Sequence, residues 1–269
     1  MMLRATTSIF AAWEVVMAMN TNALPPATND RFPFFQQHPV GTAVLFFLLY
    51  LLISTLCGLA AQRFFPQYQP DFVALIALAI LLAVTLTGLG WWRATGFNGP
   101  AAWQRLPLAW IPIVIVLGLP FLRGLKPSDG NTLLYLLVGY ALTGFMEEGF
   151  MRGIVMRVLR PTGAVHSVVI SALLFGLMHI GNLLYRNPAI VVAQMVGAFV
   201  HGIGLGAIRL RTNTIWLVVA LHGLHDLALK YTNFPAIPLD VVQVTLLMLY
   251  GIYLLRTRPA SETRTAADA

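Results

Sequence analysis

The stretch from Gly41 to Ala61, GTAVLFFLLYLLISTLCGLAA, decides the class of fold that this chain adopts. It contains no charged side chain over its whole length. A helix needs about 20 consecutive apolar residues to cross the hydrocarbon core of a bilayer. An apolar run of this length therefore predicts a transmembrane helix.

The same pattern recurs along the chain. The predicted spans are 41–61, 72–92, 106–122, 132–156, 165–185, 189–209, 213–230 and 237–255. The third span is short and contains Pro112 and Pro120, which predicts that it is kinked or partly re-entrant. The sequence thus predicts an all-α fold, a polytopic transmembrane helical bundle with about eight membrane spans.

The composition agrees with a membrane protein. Hydrophobic residues make up 58% of the chain and charged residues 10%, against about 25% charged residues in a soluble domain. The net charge of +7 does not indicate nucleic-acid binding, because the basic residues lie singly or in pairs between apolar runs and form no stripe. Cys57 is the single cysteine, which excludes an intramolecular disulfide and a thiolate metal cluster.

The chain divides into one helical domain and two flanking segments. Residues 41–255 form the predicted transmembrane domain, since no linker within them is long enough to separate domains. Residues 1–40 are predicted to be a cytoplasmic or interfacial segment. Its apolar run 8–19 is interrupted by Glu14 and has no convincing cleavage site after it, so an interfacial helix is favoured over a cleaved signal peptide. Residues 256–269 predict a disordered cytoplasmic tail.

The positions of Lys and Arg predict the orientation of the bundle. With eight spans, about eleven basic residues fall on one side: Arg4, Arg31, Arg93, Arg105, Arg157, Arg160, Arg209, Arg211, Arg256, Arg258 and Arg264. About five fall on the other side: Arg63, Arg123, Lys126, Arg186 and Lys230. Because positively charged loops stay in the cytoplasm, both termini are predicted to be cytoplasmic, in a membrane that we expect to be the inner (plasma) membrane of a bacterium.

Two adjacent carboxylates inside the fourth predicted span are the first candidates for chemistry. They lie in the segment Thr143-Gly-Phe-Met-Glu-Glu-Gly-Phe-Met-Arg-Gly153, and ionisable groups at this depth are costly enough to make each a functional hypothesis. Glu148 and Arg152 are four residues apart and can pair on one helix face. Glu147 points about 100° away from Glu148 and is left free to face a cavity. The alternative is that both glutamates merely reach the membrane interface from a helix end.

Histidines in two later spans can exchange protons near neutral pH. The fifth span contains Phe175-Gly-Leu-Met-His179, and the seventh contains His222-Gly-Leu-His225-Asp226. His222 and Asp226 are four residues apart and share a helix face, with His225 close by. Taken alone, His179 can also be a hydrogen-bonded structural histidine of the interior, and the same holds for the set of His222, His225 and Asp226.

A further histidine, His201, lies in the sixth span. Gly202 and Gly206 beside it have the spacing that allows close packing of helices. His201 is therefore predicted to be structural or to support the site from behind.

Together these groups predict the activation of a water molecule. A carboxylate would serve as the base, and histidines and further polar groups would lie where negative charge develops. No serine sits in a nucleophile elbow, and no HExxH pair is present. The set therefore matches neither a serine hydrolase nor a standard zinc protease.

The three segments resemble, in order and spacing, the CPBP family of intramembrane proteases. This family is also called the CAAX protease and bacteriocin-processing (Abi) family, and it includes the Rce1-type prenyl-protein endopeptidases. Its pattern is Glu-Glu-x-x-x-Arg, then Phe-x-x-x-His, then His-x-x-x-Asn or a related residue, on successive membrane helices. The matching residues are Glu147, Glu148, Arg152, Phe175, His179, His222 and Asp226. The resemblance covers roughly residues 130–230.

This resemblance implies hydrolysis of a peptide bond in a membrane-associated protein or peptide, and it leaves open whether that substrate is prenylated, carries another lipid anchor or is a membrane-anchored or secreted peptide without one. Glu147 would be the base, and His179 would hold or polarise the water. His222 and Asp226 would stabilise the oxyanion or orient its donors. Supporting roles fall to Glu148, Arg152, Phe175 and His225. The implied partners are the lipid bilayer and this substrate.

Asp226 departs from the asparagine that is frequent in the family. An ionised carboxylate would repel an oxyanion, so Asp226 must either be protonated or act by orienting His222. Family members are often named metalloproteases, and Glu147, His179 and His222 are candidates for a zinc site with two His ligands and one carboxylate. The glutamate mechanism does not need a metal, so we expect no required cofactor and keep zinc as the alternative.

The depth of the candidate residues raises a difficulty. Counted from the span ends, Glu147 falls slightly to the cytoplasmic side of the midplane and His179 slightly to the other side. With a rise of about 1.5 Å per residue, the mismatch is on the order of 10 Å. A tilted helix or a shifted boundary would remove it.

A non-enzymatic membrane protein is the competing prediction. A proton-coupled transporter, or an immunity or scaffold protein, would use the same Glu and His residues. Inverted repeats with broken helices would favour a transporter, and the sequence shows none. An inactive scaffold has no need to keep a costly pair of buried glutamates.

Overall fold

The computed structural model describes residues 37–98, 108, 110–184 and 186–257. Nearly all of them are helical, and within these ranges no β-strand occurs beyond one isolated bridge between Leu125 and Thr232. The all-α prediction is confirmed. The predicted N-terminal segment 1–40 and the predicted tail 256–269 lie outside the described residues, apart from their inner ends.

The longer helices of the described chain overlap the predicted spans. They are α1 (Pro39–Phe64), α2 (Pro70–Leu89), α3 (Trp110–Phe121), α4 (130–158), α5 (Ala164–Met178), α6 (Pro188–Thr212), α7 (Ile215–Tyr231) and α8 (Ala236–Arg256). Proline occupies the first turn of α1, α2 and α6, where a backbone N–H has no helical partner to lose. Gly90, at a φ of 66°, ends α2 in the left-handed conformation.

Within the described ranges, five helices are long and apolar enough to cross a membrane: α1, α2, α5 with its extension to Leu184, α6 and α8. The helix α3 is shorter, and α7 has 17 residues. The helix α4 carries the two adjacent glutamates and Arg152. The chain is therefore an integral, multi-pass membrane protein, but the predicted count of about eight spans is not confirmed.

The helices α1 and α2 expose an apolar face. Leu48, Leu52 and Leu59 on α1 and Ile80 and Val84 on α2 are each more than half exposed. A continuous apolar surface of this kind would promote aggregation in water. Lipid tails are as apolar as leucine, so a membrane accommodates it without cost.

A close contact between α4 and α7 positions the polar residues. A Cβ atom at Gly144 of α4 would lie 2.6 Å from the carbonyl oxygen of Val219, and one at Gly223 of α7 would lie 2.8 Å from that of Tyr140. No side chain larger than a hydrogen atom fits at either position, so glycine lets the two backbones approach. The glutamates of α4 thereby come to face the histidines of α7.

Two helices change their winding beside the predicted site residues. In α4 the α-helix Gly130–Glu148 is followed by the π-helix Gly149–Val155. After α5 the chain continues as the 3-10 helix His179–Leu184. Such changes of winding are frequent at functional sites. The first begins directly after Glu148 and the second begins at His179.

Candidate active site

A polar cavity of about 470 Å³ lies inside the helical bundle. Its wall includes all four candidate catalytic residues, Glu147, His179, His222 and Asp226. The other polar or aromatic residues of the wall are Tyr50, Ser54, Thr143, Phe175, Asn182, Gln194, His201, His225 and Asp240. Residues from α1, α4, α5, α6, α7 and α8 therefore meet around one space that is large enough for water and part of a substrate.

Glu148 lies behind the cavity wall at the centre of a buried network. Its Oε1 accepts hydrogen bonds from Arg152 Nη1 at 2.9 Å and from His222 Nδ1 at 2.8 Å. Both members of the Glu148–Arg152 pair are buried, and the Arg152 guanidinium carbon lies 4.2 Å from the centre of the Phe175 ring. A buried charge is costly unless it is paired. Arg152 therefore compensates Glu148, and Glu148 holds the ring of His222.

His222 presents its second nitrogen to the cavity. An ionised carboxylate can only accept, so the Nδ1 of His222 is the donor to Glu148. The Nε2 atom lies 3.8 Å from Glu147 Oε2 and 3.7 Å from Asp226 Oδ2. These distances are too long for direct hydrogen bonds, so the three groups keep polar atoms available for water in the cavity. The three side chains thus surround a place for water.

His179 reaches the same cavity from the other side of Phe175. Its Nδ1 lies 3.1 Å from the carbonyl oxygen of Phe175, and because a carbonyl only accepts, Nδ1 carries the hydrogen. The Nε2 of a neutral His179 is then a free acceptor. The Phe175 ring meets His179 and His222 edge-on, with centroid distances of 5.5 and 5.8 Å. Phe175 therefore spaces the two imidazoles across the wall.

His225 lines the cavity, but its hydrogen-bond partner was not predicted. Its Nε2 lies 3.0 Å from Asp240 Oδ1 on α8, whereas the sequence analysis grouped His225 with His222 and Asp226. Asp240 is the only acidic residue of α8. An intramembrane carboxylate is costly, so the sequence alone also marks Asp240 as a functional candidate.

His201 lies closer to the chemistry than the sequence indicated. Its ring centre lies 4.8 Å from that of His225 and 5.4 Å from that of His222. His201 also contributes to the cavity wall. His201 therefore packs against both histidines of α7 and is part of the candidate site.

Two further polar contacts of the wall join different helices, and an interhelical hydrogen bond of Gln194 is one that the sequence predicts. Asn182 donates from Nδ2 to Gln194 Oε1 at 2.7 Å, which joins the 3-10 helix after α5 to α6. The Tyr50 hydroxyl lies 2.7 Å from the sulfur of Met146. Tyr50 and Met146 are 96 positions apart, and no local spacing pattern indicates their contact.

The candidate zinc ligands do not form a metal site in this arrangement. Throughout the described part of the chain, no group of three His, Cys, Asp or Glu side chains is placed so that it could hold a metal ion. Glu147, His179 and His222 share the cavity wall but do not form such a group. We therefore derive no reaction step through a metal.

The expected depth mismatch does not keep Glu147 and His179 apart, since both line the same cavity. Counting depth from the span ends assumed straight helices of regular rise. The chain instead leaves α-helical winding directly after Glu148 and at His179. Depth along these two helices therefore cannot be counted with the α-helical rise alone.

Comparison with known proteins identifies this part of the chain. Residues 129–228 match the family described as Rce1-like, type II CAAX prenyl endopeptidase. The matched segment runs from the start of α4 into α7 and contains all three sequence motifs. No curated protein and no solved structure matches the chain. The segment that contributes Glu147, His179, His222 and Asp226 to the cavity thus resembles the Rce1-like family of CAAX-type membrane proteases.

Proposed function

We propose that this protein is an intramembrane endopeptidase of the glutamate type. The observation that carries the proposal is the convergence of Glu147, His179, His222 and Asp226 on one polar cavity inside a bundle of apolar helices. Behind the wall, the buried Glu148 holds His222 by a hydrogen bond of 2.8 Å. These elements bring water to a bond at membrane depth and orient the groups that activate it.

Glu147 is the proposed general base. Glu148 is committed to Arg152 and His222, whereas Glu147 lines the cavity and receives no hydrogen bond from any described residue. Its carboxylate takes a proton from water while the water oxygen attacks the carbonyl carbon of the scissile bond. The same proton is then passed to the leaving amine, which leaves the carboxylate ready for another cycle.

The histidines and Asp226 act on the water and on the oxyanion. The free Nε2 of His179 accepts a hydrogen bond from the water and aims it. The Nε2 of His222, when protonated, donates to the oxyanion that forms on the substrate. Since Glu148 already orients His222, Asp226 is not needed for that purpose. We assign Asp226, in its protonated form, to a second donor for the oxyanion.

The proposed substrate is a membrane-associated protein or peptide with a prenyl or other lipid anchor. A second cavity of about 220 Å³, lined almost wholly by apolar side chains of α1, α2 and α4, shares Tyr50 with the polar cavity. An apolar chain in one cavity would hold an attached peptide beside the other. We place the protein in a bacterial inner membrane with both termini in the cytoplasm, as the distribution of Arg and Lys indicates.

Comparative peptidomics tests the proposed function. Membranes from cells that produce the wild type should contain cleaved fragments that are missing when Glu147→Gln is produced at the same level. General base catalysis contributes roughly 10²–10⁴-fold, so residual cleavage should be at background. Asp71→Asn, the same kind of change at an exposed residue of α2 outside the cavity, is the matched control.

Identical peptidomes from the wild type and Glu147→Gln would contradict the proteolytic function. The remaining candidate would then be a proton-coupled transporter that uses the same side chains. Proton uptake into liposomes containing the purified protein, measured with a pH-sensitive dye, would distinguish the two.

A further inference from the structure

We infer that Asp240 makes this cavity selective for substrates with a lysine or arginine side chain next to the scissile bond. The inference rests on the proposed function and names the substrate class of the same site. Asp240 lies on α8, beyond residues 129–228 that match the protease family. The match therefore assigns it no role.

The carboxylate of Asp240 is open to the cavity. Its Oδ1 accepts from His225 Nε2 at 3.0 Å, and its Oδ2 receives no hydrogen bond from any residue that the structure describes. The Asp240 side chain is 38% exposed, against 29% for Asp226 and 16% for Glu147. Gly197 lies beside the carboxylate of Asp240. A Cβ atom at Gly197 would be in van der Waals contact with Oδ2, at 3.8 Å. The absence of a side chain at Gly197 leaves the carboxylate accessible.

The wall around Asp240 lacks cationic side chains. Among the described residues that line the cavity, none is lysine or arginine. Arg152, the arginine of the buried network, does not reach the cavity wall, because it lies against Phe175 and pairs with Glu148. A negatively charged group that entered this part of the cavity would meet Asp240 with no lysine or arginine to compensate it.

Two neighbouring histidines each leave one ring nitrogen without a hydrogen-bond partner among the described residues. Since the Nε2 of His225 donates to Asp240, its Nδ1 is an acceptor in the neutral ring, and this buried atom has no partner among the described residues. His201 is 5% exposed, contributes to the same wall, and its Nε2 likewise lacks a partner there. Native structures rarely leave buried polar atoms unpaired. The unpaired Nδ1 of His225 can accept a hydrogen bond but cannot donate one, so it adds no group that would favour an anionic ligand.

The charge of the wall predicts a preference among peptides. An ammonium or guanidinium group near Asp240 is attracted by a carboxylate that is only partly solvated, and a carboxylate in the same place is repelled. Attraction in one case and repulsion in the other should separate lysine from glutamate by about tenfold or more in kcat/KM. By the same argument, a peptide with its free C-terminal carboxylate at this place is a poor substrate.

Cleavage of a peptide library measures this preference. The full chain is reconstituted in liposomes and given palmitoylated decapeptides that carry lysine, norleucine or glutamate at each position, and fragments are quantified by mass spectrometry. The wild type should cleave beside lysine in preference to glutamate. Asp240→Asn, which keeps an acceptor for His225, should lose most of the preference, and Asp240→Lys should reverse it. Asp71→Lys places the same new charge outside the cavity and should leave the preference unchanged.

A binding measurement separates this inference from the proposed function. Glu147→Gln should bind the lysine peptide more tightly than the glutamate peptide in a fluorescence titration, and adding Asp240→Lys should reverse the order. If Glu147→Gln binds the lysine peptide more tightly but the wild type cleaves neither peptide, proteolysis is refuted and the charge preference of Asp240 is supported. Equal binding of the two peptides, or a lysine preference that survives Asp240→Lys in a protein with an unchanged unfolding temperature, would overturn the inference.

Discussion

Replacing Glu148 by glutamine should destabilise the protein, although it removes only one charge. The Oε1 of Glu148 accepts hydrogen bonds from Arg152 and His222. The side chains of Glu148 and Arg152 are both fully buried. Glutamine keeps a neutral acceptor, but the guanidinium of Arg152 then lacks a compensating charge. Removing one partner of a buried ion pair typically costs about 3–5 kcal/mol.

This free energy predicts the change in unfolding temperature. For a chain of about 150–250 residues, 1 kcal/mol corresponds to roughly 2–4 °C, so Glu148→Gln should unfold about 6–20 °C below the wild type. The six tryptophans supply an intrinsic fluorescence signal for thermal unfolding in detergent. Glu147→Gln is the matched control, because the nearest cationic or imidazole nitrogen to its carboxylate is 3.8 Å away. It should shift the unfolding temperature by no more than about 2 °C while abolishing cleavage.

A double variant tests whether the cost arises from the unpaired charge. Glu148→Gln combined with Arg152→Gln removes both charges, so it should be more stable than the sum of the two single variants predicts. The reasoning is refuted if Glu148→Gln unfolds within about 2 °C of Glu147→Gln, or if the double variant shows simple additivity.

Reporter fusions at residue 260 and within residues 186–188 should lie on opposite sides of the membrane, with residue 260 in the cytoplasm; both on one side would refute the predicted topology. Cys57→Ser should keep full proteolysis and resist thiol-directed inhibitors, because Cys57 lies on α1 outside the cavity wall. Loss of activity at normal expression would contradict this. Asp226→Asn should preserve or raise the cleavage rate, whereas Asp226→Ala should lose about 10²–10³-fold, as measured in detergent across pH with and without a chelator. An inactive Asp226→Asn together with a chelator-sensitive wild type would instead support metal catalysis.

The membrane character of the fold could be predicted because it depends on short stretches of sequence. An apolar run such as 41–61 must satisfy its backbone hydrogen bonds internally in lipid, and a helix does this without help from the remainder of the chain. The helix α1 accordingly covers the run with a few residues added at each end. The number of spans was not predictable in the same way. The helix α7 has 17 residues and α3 is shorter still, so apolar runs of this length do not by themselves establish a crossing.

The candidate site was predictable where partners lie on one helix. Glu148 and Arg152 are four residues apart, and helical geometry alone brings them within reach of each other. The same spacing places His222 and Asp226 on one face of α7, with 3.7 Å between Nε2 and Oδ2. It could not show that Glu148 holds His222, since these residues are 74 positions apart in the chain.

By itself the sequence determined that this chain is helical and built for lipid, and it singled out Glu147, Glu148, His179 and His222 as costly polar groups. Both conclusions follow from local physics, because the transfer of a helix or a charge into a bilayer depends on residues that are adjacent in sequence. Only the tertiary structure decided which polar groups meet. It paired His225 with Asp240 across two helices and brought His201 against both histidines of α7. The physical reason is that a buried donor or acceptor takes whichever partner helix packing brings near, and that packing depends on close backbone approach at residues such as Gly144 and Gly223.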